Sequence, residues 1–363
     1  MEEQKGISFF EKYLTIWVLL CMAAGILLGR YVPAIPGFLS KLEYASVSVP
    51  IAILIWIMIY PMMMKIDFQS ILNVRKNPLG LVISSGTSWL IKPFLMFGLA
   101  SFFFYIVFKQ LIPTELARQY VAGAVLLGAA PCTAMVFVWS NLTKGDPAHT
   151  LVQVSVNDLI ILVLFVPIVT FLLGITNIKV PWETLALSIV MFVVIPLVAG
   201  FITRFSVIRQ KGKAYFENNF VPKFDSITTV GLLLTLLIIF TFQGKTILQN
   251  PLHVALIAVP LVLQNVITAL FAYFVSYKLN VPHKIASPAA LIGASDFFEL
   301  SVAVAITIFG ANSPVVLVTT VGVLTEVPVM LMLVRFVNNT RKNFTARDER
   351  RRLSEAGQAI KSA

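Results

Sequence analysis

Apolar runs, each long enough to cross a hydrocarbon core roughly 30 Å thick, recur along the whole chain and are separated only by short polar segments. With hydrophobic residues at 58%, charged residues at 12% and a mean hydropathy of +0.87, the chain lacks the charged surface that keeps a soluble domain in water. The solvent for which it is built is a bilayer, and in a bilayer every backbone polar group must be satisfied within the protein. The expected fold class is therefore all-α and integral to the membrane.

Hydrophobic runs bounded by Gly, Pro, Asn and charge clusters place spans near 13–29, 49–64, 79–108, 120–142, 150–174, 183–203, 227–242, 253–277, 286–309 and 314–337. Ten spans put both termini on one side. Most of the 28 Lys and Arg residues fall on segments that a cytoplasmic placement of the termini keeps inside, as the positive-inside rule requires. A multi-pass protein of the cell membrane is the expectation, with its first helix retained because residues 1–12, MEEQKGISFFEK, precede no clean cleavage site. The net charge of +11 lies in loops and in the tail RKNFTARDERRR, so it reports topology and not a nucleic-acid partner.

The two halves echo each other. Ala122 to Ala130 reads AGAVLLGAA in the fourth span and Ser287 to Ser295 reads SPAALIGAS in the ninth, with Gly128 matching Gly293. SILNVRKNP, ending at Asn77 and Pro78, matches TILQNP, ending at Asn250 and Pro251. The expected division is 1–174 for a first five-helix repeat, 175–337 for a second, and 338–363 for a basic cytoplasmic tail. An odd number of spans per copy inserts the second copy upside down, giving two inverted five-helix repeats.

The same two spans carry the chemistry. Pro131 removes a backbone donor and clashes with the preceding turn, so the fourth helix breaks around Gly128 to Thr133. The ninth breaks at Gly293, Ala294, Ser295 and Asp296 and continues to Glu299. Unwound backbone at membrane depth persists only where it is buried in protein or lines a cavity, which makes these breaks the expected transport site. An acidic side chain at a helix centre is disfavoured by roughly 2.5–3.5 kcal/mol on insertion scales. Glu299 and Asp296 therefore need a partner, water or a proton; the plainer reading is a carboxyl that only pins helices together.

Asp158 in the fifth span and Glu326 in the tenth are secondary acids in neighbouring register when Pro147 is laid on Pro314, and Thr133 and Ser295 are secondary polar candidates at the breaks. Lys92 beside Pro93 either neutralises one of the acids or snorkels toward headgroups. Gln264 and Asn265 supply neutral donors for helix packing. Of the two cysteines, Cys21 sits in an unbroken apolar run and reads as a small hydrophobe. Cys132 follows Pro131 at the break and offers a soft sulfur to a thiophilic solute. Neither the cysteines nor His149, His253 and His283 have metal-ligand spacing, and no cofactor motif or enzyme signature is present. Small residues occur on many helix faces without a clear G-x-x-x-G dimer signal, which leaves the oligomeric state unknown.

The stretches APCTAMVFVWSNLTKGDPAHTLVQVSVNDLIILVLFVPIV, GASDFFELSVAVAITIFG and LTEVPVMLMLV resemble the arsenical-resistance arsenite efflux permease family, nearly end to end. That family is similar in turn to the bile acid/sodium symporter superfamily, whose fold is ten helices in two inverted repeats with broken, crossing helices 4 and 9. The resemblance implies export of trivalent arsenic as neutral arsenous acid, and of antimonite as a further substrate, in exchange for protons and without ATP or cofactor. By motif it places the key cysteine on Cys132 and the key glutamate on Glu299, with Cys132 and Glu299 at the substrate and Glu299 and Asp296 as proton-coupling groups. Where the family is expected to read G-A-S-N-F-F-E-L, this chain has Asp296, which admits a second proton site.

Two other classes compete. A sodium-coupled symporter of a bile-acid-like organic anion needs oxygen ligands near the fourth-span break, yet Cys132 and Thr133 are followed by Ala134, Met135, Val136 and Phe137. An intramembrane protease with Asp158 and Asp296 as its dyad lacks a G-x-G-D pattern at either aspartate.

Overall fold

The computed structural model describes residues 14–32, 34, 35, 37, 42–44, 47–66, 78–133, 135–176, 178 and 180–362. Helix α1 runs Leu14–Tyr31 and α2 Val49–Met64, with two-residue strands β1 (Glu43–Tyr44) and β2 (Val47–Ser48) paired antiparallel before α2. Then follow α3 (Pro78–Val107), α4 (Thr114–Gly128), α5 (Val136–Leu142), α6 (Pro147–Ile175), α7 (Trp182–Lys211) and α8 (Lys213–Gln249). The chain closes with α9 (Pro251–Lys278), α10 (His283–Ala294), α11 (Phe298–Phe309) and α12 (Pro314–Ser362).

Among the described residues, seven helical segments are long and apolar enough to cross a membrane, with α10 and α11 together counting as one; α1 and α2 are shorter apolar helices. Leu90, Ile106 and Val163 are about two-thirds exposed or more, a surface that suits acyl chains and would be costly in water. The segment α10 to α11 is different. In its most apolar window 89% of residues are buried, against 28% for α3, so it runs through the protein interior.

Several boundaries differ from the sequence expectation. The expected span 120–142 is two helices, α4 and α5, because Pro131 cannot continue α4; the expected span 227–242 is the middle of the longer α8. Asn250 and Pro251 mark the junction of α8 and α9, while the matching segment 70–77 and the charged start 1–12 lie outside the described residues. The helix α12 passes position 337, where the tail was expected to begin, without a break. Arg347 holds this extension against the end of α9 by donating to the carbonyls of Tyr277 and Val281.

The helices pack as two groups. In one, α1 lies on α8, and α2 lies on α7 and α8. In the other, α3, α4, α6, α9, α10, α11 and α12 surround the two helix breaks. The contact of α1 with α8 gives one small-residue pair its use. Gly25 and Gly29 form a G-x-x-x-G pair, and it serves packing within the chain. A Cβ on Gly25 would stand 2.6 Å from the carbonyl oxygen of Leu237, one on Gly29 2.2 Å from that of Thr241, and one on Gly244 2.8 Å from that of Ile26. Backbones this close leave no room for a side chain, and that proximity is the source of attraction where lipid tails are as apolar as Leu. We expect Gly29→Val to lower stability by about 1–3 kcal/mol through overpacking. Thermal unfolding in detergent checks it; an unchanged Tm would mean that α1 is not held by this contact.

Candidate functional site

The centre of the second group is built from two interruptions. α4 ends at Gly128 and α5 begins at Val136; α10 ends at Ala294 and α11 begins at Phe298. The breaks touch through a main-chain bond, Phe297 N to the Ala130 carbonyl at 3.0 Å. Both matched glycines are places of close approach: a Cβ on Gly128 would stand 2.8 Å from Met96, and one on Gly293 3.0 Å from Thr87. Both contacts are to α3, which thus braces the two breaks.

α3 also inserts a charge between them. Thr87–Ile91 forms a π turn in which the N–H of Lys92 reaches back to the Thr87 carbonyl, and Pro93 follows. Such a turn holds an extra residue and shifts the helical register. Lys92 is wholly buried, and its Nζ donates to the carbonyls of Ala130 at 2.8 Å and Ser295 at 2.7 Å and to Asp296 Oδ1 at 3.1 Å. Of the two readings of this lysine, neutralising an acid is the one realised. Burying both ions is costly unless their remaining hydrogen-bonding capacity is met, and here it is. The main-chain N–H of Asp296 donates to Glu326 Oε1 at 3.1 Å. Asn265, with its amide nitrogen toward the acceptors, donates to Asp296 Oδ2 at 3.2 Å and to the Ala294 carbonyl at 3.1 Å.

Glu299 lies one turn beyond Asp296 in a different setting. Its side chain is 1% exposed, yet neither carboxyl oxygen has a hydrogen-bond partner among the described residues. It lines a cavity of about 140 Å³ between the two helix groups. α2 contributes Met58 and Met62, Lys65 follows directly at the end of α2, Thr228 comes from α8, and the opposite wall holds Thr133 and Ser155. The Thr133 hydroxyl donates to Met62 Sδ at 3.7 Å across that boundary. Cys132, the neighbour of Thr133, is buried at 2% exposure and is not on the cavity wall. The structure thus brings Cys132, Thr133, Ser295, Asp296, Glu299 and Glu326 to one crossing. Asp158 stands apart on α6, buried with Oδ1 unpartnered among the described residues, beside Asn157, which accepts from Trp89 Nε1 at 2.9 Å.

Sequence reasoning did not anticipate Met62, Lys65, Ser155 and Thr228 as wall residues. The pair Thr228-Thr229 inside an apolar span was a usable signal; the others carry none, because their relevance comes from the facing helix group.

The sequence matches the sodium bile acid symporter family over residues 52–250. It is 61% identical over 344 residues to the arsenical-resistance protein Acr3 of Alkaliphilus metalliredigens, covering 95% of this chain and 96% of the relative. The chain belongs to the arsenical-resistance permease family. An uncharacterised transporter of Synechocystis sp. is 44% identical, covering 92% of this chain and 90% of that one. The Acr3 of Corynebacterium glutamicum is 31% identical, over 90% and 88%. In this permease the departure at Asp296 acquires a structural partner: an aspartate in place of the expected asparagine sits against the Lys92 ammonium.

Proposed function

We propose that this protein exports trivalent arsenic from the cytoplasm across the cell membrane in exchange for protons and so confers arsenic resistance. The carrying observation is the unpartnered Glu299 carboxyl on the wall of a cavity between two helix groups, next to the break that holds Cys132. Its kinship with arsenical-resistance proteins over nearly the whole chain supports arsenite as the substrate, and antimonite, an equally thiophilic oxyacid, follows by the same chemistry.

The mechanism needs two states in which the site faces opposite sides, and a proton that binds one state better than the other. Glu299 is suited to carry it: a buried carboxyl with no internal donor exchanges a proton with whatever enters the cavity. Cys132 supplies one sulfur to arsenic. A single thiol holds a soft ion less firmly than several, which permits release on the far side. Thr133 and Ser155 offer hydroxyls to the oxygens of arsenous acid. Asp296 is a second proton-coupling candidate by position, held behind the wall by Lys92.

The architecture we infer is ten spans in two inverted repeats, divided at 174 and 337. Packing supports it, because the main contacts exchange when the first five spans are swapped with the second five. The contact of α1 with α8 becomes that of α7 with α2, α3 with α4 becomes α9 with α10, and α12 with α4 becomes α6 with α10; all are present. With cytoplasmic termini, Lys65, Asn141 and Thr228 lie toward the inner face, so the cavity that they line opens inward.

The decisive experiment uses inside-out vesicles. Arsenite uptake is expected to collapse with a protonophore and to be indifferent to replacing sodium by potassium. Sodium-dependent uptake of a bile acid, with none of arsenite, would instead establish the symporter reading.

A further inference from the structure

Two half-helices, α4 and α10, end at the two breaks, and the carbonyls of Ala130 and Ser295, just beyond their C-terminal, electronegative ends, meet at one point. In membrane transporters, such ends and the carbonyls released by unwinding are where a sodium ion is held. Here the point is occupied by Lys92 Nζ. Its three N–H groups meet three oxygens: the main-chain carbonyls of Ala130 and Ser295 and one carboxylate oxygen of Asp296, at 2.7 to 3.1 Å. These three ligands are all oxygen, partly anionic and drawn from both breaks, the donor type that a hard metal cation takes. The outer ring is also complete, with Asn265 on the other Asp296 oxygen and Glu326 on its main-chain N–H. A family whose matching description names sodium thus has, in this chain, an ammonium group in a cation's shell.

We propose that Lys92 is a tethered cation. Its ammonium fills an alkali-ion site at the crossing of the two breaks, so the positive charge that holds the breaks together is part of the chain and the transport cycle needs no sodium. Lys92 is a positioning residue: it shapes the crossing beside Glu299 and does not touch the cavity. The inference rests on the transport reading for its consequence, but its physical core concerns cation occupancy alone.

Removing the ammonium while keeping the shell exposes the site. In Lys92→Ala, Asp296 and the two carbonyls lose their cation, and a soluble one should take its place. The purified variant is expected to unfold at a lower Tm than wild type in choline chloride, and to recover with rising sodium chloride as mass action requires. Wild type should be indifferent to the same exchange at matched ionic strength. In vesicles, arsenite uptake by the variant should fall roughly tenfold or more without sodium, as for a buried ion left unpaired, and return when sodium is added. The double variant Lys92→Met/Asp296→Asn, which removes both charges and leaves only neutral oxygens at the site, should show no sodium response.

Lys92→Gln serves as a second probe, since it leaves more side-chain bulk at the site. Sodium-indifferent Tm in both single variants would overturn the proposal, as would failure of both to fold in sodium as well as in choline. If wild type takes up no arsenite, the transport reading fails while the Tm comparison still decides the tethered cation.

Discussion

Glu299→Gln is expected to lower proton-driven arsenite transport about 100-fold, near the upper end of the coupling free energies found between linked sites. The amide has the size of the carboxyl and can hydrogen-bond, but it cannot cycle between protonated and ionised forms. Because the native oxygens have no partner among the described residues, no donor elsewhere loses its acceptor, the new amide N–H groups face the cavity, and Tm should be close to that of wild type. The loss would then be in coupling and not in folding. Counterflow, in which unlabelled arsenite on one side drives labelled arsenite from the other without a proton gradient, should survive better than uphill transport. Equal loss of both would assign Glu299 to binding alone, and full uphill transport would remove it from the cycle.

The second large effect is at sulfur. Cys132→Ser keeps volume and a hydroxyl but exchanges a soft donor for a hard one, and arsenite transport should fall by about tenfold or more, equivalent to about 1.4 kcal/mol or more of lost contact. Cys21→Ser should retain transport, since Cys21 is half-buried in α1 within an apolar run. Cys132 is off the cavity wall in this conformation, so the sulfur contact proposed above requires a different conformation of the break. Labelling of Cys132 in a Cys21→Ser background by a membrane-permeant maleimide should accordingly be slow in the resting protein and accelerate under a proton gradient. A Cys132→Ser variant with full transport would sink the sulfur contact.

Several elements were legible before any coordinates. The helix breaks follow from local causes: Pro131 cannot continue α4, and small residues cluster around Gly128 and Gly293 where the two breaks fall. Glu299 and Asp296 stood out because an acid in the middle of an apolar run needs an explanation. The sequence already favoured Glu299 over Asp296 as the functional acid, but not the settings that separate them. Asp296 is enclosed by Lys92, Asn265 and the neighbouring main chain, whereas Glu299 faces a cavity three residues later. For Lys92, the sequence allowed an inward or a snorkelling side chain, and the π turn before it, together with the facing breaks, selected the first. The Gly25-x-x-x-Gly29 pair was present in the sequence, but its partner on α8 lies more than 200 residues away.

By itself, the order of residues determined that this chain lives in lipid, which segments are its apolar helices, and where two of them break, because hydropathy and proline sterics act over a few turns of one segment. The tertiary structure alone decided which acid is neutralised, which one lines the cavity, and which helix group forms the opposite wall. Those outcomes depend on where separate segments meet, and a charge inside a bilayer is governed by the oxygens and cations that surround it in space, whatever their distance along the chain.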